Sequence, residues 1–271
     1  MNTFDIKRFC QLLLWTITTS KKDILTVLTI FFIVLTAMIN LPYIIDSGGG
    51  IEQVRLMFLS VVAIAFSGYY IFATINGCWI YSNMATKQQR ITFKMLPASD
   101  VEKYWVRVVY VIGVWIIGGF IVFCLADLFG MLVRLIMFND YIGSIVYETF
   151  KPNNVNETDR MMVFGMDGER GVILANLFLI FSQSIYVLGG AFFRRRQFVF
   201  TLLTIFAAGI ILLLLLDMNK DAVRNTIRSL GVETFCWIMN IVLVVWSIVN
   251  YWLAYVIFKR MQVINNKWIN V

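Results

Sequence analysis

The chain contains no histidine, only 3 prolines, and few charges, at 14% of residues. Without histidine there is no Ser-His or Cys-His nucleophile pair, no His-ligated metal and no imidazole proton relay. With so little proline, helices run almost uninterrupted. No Gly-Lys pair occurs, so there is no Walker A loop to cradle phosphate, and Gly48-Gly49-Gly50 reads as a flexible turn. The four cysteines, Cys10, Cys78, Cys124 and Cys236, lie far apart in or beside apolar runs and form no CxxC. They read as packing residues, with no metal site and no disulfide framework.

What fills the chain is apolar. Hydrophobic residues make up 60% of it, well above the half of a soluble domain, and they concentrate in long runs. A bilayer core needs about 20 apolar residues in helical form. Six segments meet that length: Ile24–Ile45, Val54–Asn76, Trp105–Ala126, Val172–Phe193, Phe198–Leu216 and Phe235–Phe258. The expected fold is an all-α polytopic membrane protein, one membrane domain over residues 1–271 with six transmembrane helices. Ahead of the first span, Ile6, Phe9, Cys10, Leu13, Leu14 and Ile17 recur with helical period over residues 4–20. That pattern predicts an N-terminal interfacial amphipathic helix, with Lys21-Lys22 turning the chain into the membrane. The first apolar run is too long for a signal-peptide core and lacks an Ala-x-Ala-like site after it.

The net charge is +7. Its placement beside spans makes membrane lipids, not nucleic acid, the counterpart. With the N-terminus inside, 15 of the 23 lysines and arginines fall on the inner side, and Arg194-Arg195-Arg196 is the strongest anchor. The positive-inside rule then places both termini in the cytoplasm, in a multi-pass protein of the inner, cytoplasmic membrane.

The spans hold almost no charge. Arg55 and Arg107 fall at span ends, where long side chains snorkel to the interface. Asp127 and Arg134 are expected as interfacial charges, because a direct pair is not favoured at i, i+7. Asn40, Asn76, Asn176, Ser182, Gln183, Ser184, Asn240 and Asn250 read as helix-joining groups, with a path for an amphiphile as the alternative. Gly113, Gly118-Gly119 and Gly189-Gly190 favour close helix approach. The third span is expected to bend at Leu128–Phe138 into an outer loop over residues 139–170. That loop has a short helix within Tyr141–Phe150, an irregular middle, and a three-residue glycosylation pattern at Asn156 that reads as plain loop.

The polar stretch of residues 86–103, TKQQRITFKMLPASDVEK, stands apart from this background. Ile91, Phe93 and Met95 alternate with Thr92 and Lys94, which suggests an apolar stripe. Pro97 disfavours helix at Leu96. Ser99 then stands at an N-cap, and Glu102 three residues on completes a capping box for the third span.

This arrangement resembles the permease subunits of type-2 ABC exporters. The residues that carry the resemblance are Lys87-Gln88-Gln89-Arg90, Phe93-Lys94-Met95 and Leu96-Pro97-Ala98-Ser99-Asp100-Val101-Glu102-Lys103. The family shares the interfacial N-terminal helix and six spans with both ends inside. The resemblance implies that residues 86–103 are a coupling element docking on a separate cytoplasmic ATPase subunit. Lys87, Arg90, Phe93 and Lys94 are then contact candidates, with Leu96 and Pro97 fixing the exit. It also implies a second permease copy or a homologous permease as partner. ATP would bind in the ATPase chain, with no cofactor and no catalysis in this one. The pattern departs from the family on the outer side, where the large loop follows the third span and not the fifth. No outer gate is therefore carried over. The competing class is a non-transporting sensor or assembly scaffold whose basic loop binds another cytoplasmic partner. An intramembrane enzyme ranks third, since no catalytic constellation is visible.

Overall fold

Hydropathy of this kind leaves the backbone one economical solution in lipid, which is to satisfy its own hydrogen bonds within helices. The computed structural model describes residues 4–45, 51–84, 87–137, 143–150, 168–193, 196–220, 229 and 232–261. These form α1 (Ile6–Ile45), α2 (Ile51–Ile75), a 3-10 segment (Asn76–Met84), α3 (Lys87–Met95), α4 (Asp100–Val111), a π segment (Ile112–Ile117), α5 (Gly118–Met137), α6 (Ile145–Phe150), α7 (Gly168–Phe192), α8 (Gln197–Met218) and α9 (Val232–Arg260). Six helices among the described residues are long and apolar enough to cross a membrane. The chain is an all-α, multi-pass membrane protein. The Gly48–Gly50 turn, Arg194-Arg195 and most of the loop after the third span, including the pattern at Asn156, lie outside the described residues.

Two expectations about helix ends are corrected. The chain does not turn at Lys21-Lys22: residues 6–45 form one helix of 40 residues, about 60 Å long and twice the bilayer core. Both lysines are exposed, so the charge pair needs no break in the helix to reach polar surroundings. Of the expected apolar stripe, Ile6, Cys10, Leu14 and Ile17 face away from the bundle, while Leu12, Thr16 and Ser20 face into it. The third span likewise continues as helix to Met137, through a π segment in its middle. There Tyr69 on α2 donates its hydroxyl to the Ile116 carbonyl at 3.2 Å, engaging a backbone group in the widened turn.

The start of α1, α3, the start of α4 and the close of α9 share one end of the bundle, called proximal here; the opposite end is distal. Two cores fill the interior. The distal core joins α1, α2, α5, α6 and α7 through Leu35, Ile39, Phe58, Val62 and Phe123. The proximal core joins the 3-10 segment, α3, α4, α7 and α9 through Ile80, Tyr81, Phe93, Tyr104 and Phe258. Phe31 stacks on Phe72 with centroids 3.8 Å apart, which fixes the antiparallel register of α1 on α2. A Cβ at Gly190 would collide with the Cys78 carbonyl, so glycine there is what lets α7 lie against the 3-10 segment. Several of the polar residues join helices. Asn250 donates to Ser184 Oγ at 3.0 Å, the Tyr70 and Ser182 hydroxyls lie 3.1 Å apart, and Tyr104 donates to the Tyr251 carbonyl at 2.6 Å. α8 buries only Thr201 among its described side chains, an arrangement that lipid tails tolerate because they are as apolar as leucine.

Candidate functional site

The polar stretch between the second and third spans builds a compact proximal corner. Residues 87–95 form a helix, which overturns the alternating stripe: helical spacing puts Arg90 and Phe93 on one buried face and leaves Ile91 and Met95 exposed. The four-residue chain KQQR has good helix formers, and Pro97 ends the helix where the residue before a proline leaves the α region. Leu96 and Ala98 close the turn with N–H bonds to the Phe93 and Leu96 carbonyls at 3.4 and 2.8 Å. Of the sequence-derived contact candidates, Lys87 and Pro97 are exposed, Lys94 and Leu96 half-buried, Arg90 and Phe93 buried. The outward surface of α3 is therefore Lys87, Gln88, Gln89, Ile91, Thr92 and Met95.

The first turn of α4 holds this corner together. Ser99 accepts from the Glu102 N–H at 3.2 Å, and Glu102 Oε2 accepts from the Ser99 N–H at 2.7 Å, a reciprocal capping box. The other oxygen, Oε1, accepts from the Asp5 N–H at 2.7 Å. Asp5 is itself the N-cap of α1, with Oδ1 accepting from the Lys7 N–H at 2.9 Å. One buried carboxylate thus completes the capping of two helices 97 residues apart in sequence. Arg8 adds charge, with Nη2 3.3 Å from Glu102 Oε1. Next along α4, Lys103 donates to the Lys94 carbonyl at 2.9 Å, satisfying a carbonyl in the last turn of α3. So Glu102 ties α4 to α1, and Lys103 ties α4 to α3. Neither tie has a local signature beyond the capping box.

Arg107, one turn deeper on α4, does not snorkel. It is 1% exposed, and its guanidinium lies over the Phe93 ring at 4.8 Å. The snorkelling expectation fails because α3 and the aromatic core close over this end of the span.

The distal end holds a pair that helix spacing argues against. Arg134 Nη2 lies 3.7 Å from Asp127 Oδ1, and both side chains are buried. Two turns separate the residues by about 10.5 Å of rise. An extended arginine reaches back along the helix because Gly130, between them, has no side chain; a Cβ there would also strike Ile39 at 2.8 Å. Asp127 accepts from the Ile145 and Val146 N–H groups at 3.0 and 3.1 Å and from Ser144 Oγ at 2.7 Å, which seats α6 on the bundle. Arg134 donates to the Gly143 carbonyl at 2.8 Å and lies over the Tyr43 and Phe58 rings. The pair is an internal brace for the segment after the third span.

Two apolar cavities open between the helices. One, about 450 Å³, lies between α1 and α2 and is lined by Phe31, Leu35, Gly68, Phe72 and Trp79. The other, about 290 Å³, lies between α2, the π segment and α7, lined by Phe66, Tyr69, Tyr70, Phe120 and Asn176. Against known protein families, curated proteins and solved structures, the chain matches none.

Proposed function

We propose that this chain is the membrane-spanning permease subunit of an ATP-driven exporter, powered by a separate ATPase subunit that docks on α3. The observation that carries the reading is the build of the proximal corner. A nine-residue helix sits between two spans, is tied to the head of the third by Lys103, and turns Lys87, Gln88, Ile91, Thr92 and Met95 outward. A short surface helix fixed in this way passes a push from outside to a span without dissipating it in a loose loop. The excess of basic residues on this side supports a cytoplasmic location for the corner. In this scheme ATP binding closes the ATPase dimer, α3 moves with it, and two permease copies rock between inward and outward access. The apolar lining of both cavities favours an apolar or amphiphilic cargo.

The test is whether the chain co-purifies with an ATPase subunit from its own cells. The double charge reversal Lys87→Glu with Lys94→Glu should release the ATPase while the permease stays folded. Arg90 is left intact because it is buried. Retention of the ATPase by that variant would sink the docking assignment.

A further inference from the structure

We propose that Arg107 and Tyr81 form a binding site for a phosphate group at the proximal end of the bundle. Nε, Nη1 and Nη2 of Arg107 are all buried without a hydrogen-bond acceptor among the described residues. The Tyr81 hydroxyl, an electrostatic neighbour of the guanidinium, is buried and without a partner as well. Buried charge without a counterion is among the most costly arrangements a protein can hold, and proteins pair it or hydrogen-bond it. No carboxylate among the described residues takes that role. Glu102 is engaged by Asp5, Ser99 and Arg8, and Asp100 lies beside Lys103. Asp23 lies on the Tyr110 side and makes no bond to Arg107. The local surplus is positive, since Lys94 Nζ stands 5.5 Å from the Phe258 ring, which itself stacks on Tyr81 at 5.5 Å.

The donor set selects the ligand. A guanidinium fork takes two oxygens of an oxyanion, and the Tyr81 hydroxyl can donate to a third. A phosphate gives each donor an oxygen of its own and carries more charge than a carboxylate, whose two oxygens would have to be shared. The Phe93 ring on α3 lies over the guanidinium, so a phosphate bound to the same guanidinium sits beside α3. The phosphate comes either from a phospholipid headgroup or from a soluble phosphate.

Thermal unfolding of the detergent-purified full chain tests this, with inorganic phosphate in one arm and phosphatidic acid in mixed micelles in the other. Chloride at equal ionic strength and phosphatidylcholine micelles are the controls. A rise in midpoint of about 3–6 °C is expected in at least one arm. A response to the lipid alone assigns the headgroup, and a response to inorganic phosphate assigns the soluble source. Arg107→Met should abolish the response while leaving the ligand-free midpoint unchanged or higher, because it removes an unpaired buried charge. Tyr81→Phe should weaken binding by about tenfold. The proposal is overturned if neither arm responds, if Tyr81→Phe and Arg107→Met respond as the parent does, or if Arg107→Met melts lower without ligand.

Discussion

Replacing Glu102 should loosen α1 as well as α4, and the two effects can be separated. Glu102 accepts the N-cap N–H of α4 through one oxygen and that of α1 through the other, each at 2.7 Å. Ser99→Ala removes only the side-chain half of the α4 cap, at a cost of about 1 kcal/mol. Glu102→Gln keeps one carbonyl oxygen but loses the second acceptor and the charge. A hydrogen bond to a charged group contributes about 1.5–3 kcal/mol. The Arg8 contact adds little, because its side chain is 22% exposed and screened by solvent. The expected cost of Glu102→Gln is therefore about 2–3 kcal/mol. At about 2–4 °C per kcal/mol for a chain of this size, that is a midpoint lower by about 4–12 °C, against about 2–4 °C for Ser99→Ala. Amide hydrogen exchange gives the second readout. Glu102→Gln should raise exchange at Lys7 and Phe9, in the first turn of α1, and Ser99→Ala should not. Equal destabilisation and equal exchange in the two variants would refute the tie between α1 and α4.

Further outcomes follow from the distal pair and from helix contact. Asp127→Asn and Arg134→Met should each cost about 3–5 kcal/mol, because each strands the other's buried polar groups, and the double variant should cost less than their sum. Unfolding of all four proteins in detergent measures that coupling. Gly190→Ala should destabilise by about 1–3 kcal/mol through the collision with Cys78, whereas Gly209→Ala, with nothing within 4 Å of its new methyl, should be neutral or slightly stabilising. The same unfolding assay distinguishes the two.

The spans and the capping box were legible because each depends on residues near one another in sequence. Length and hydropathy mark a span, and Ser99 followed by Glu102 marks a helix start. The rest depended on partners far away or on alternatives that local pattern cannot separate. Ile91, Phe93 and Met95 fit a period of two as readily as a short helix, and only burial of Arg90 with Phe93 reveals the helical face. The Lys21-Lys22 pair reads as a turn because charge interrupts an apolar run, yet an exposed helical surface accommodates both. Arg107 sits where hydropathy puts a snorkelling residue, and its burial is imposed by α3 and α9. Asp127 and Arg134 meet only because Gly130 lies between them, and Asp5 meets Glu102 across 97 residues.

The proposed docking of an ATPase on α3 is tested most directly by a photo-crosslinking amino acid placed along that helix in cells. At Gln88, Ile91 or Thr92, on the exposed face, it should capture the ATPase subunit; at Phe93, on the buried face, it should capture only this chain. Capture of the ATPase from no exposed position, with capture elsewhere on the protein, would contradict the account.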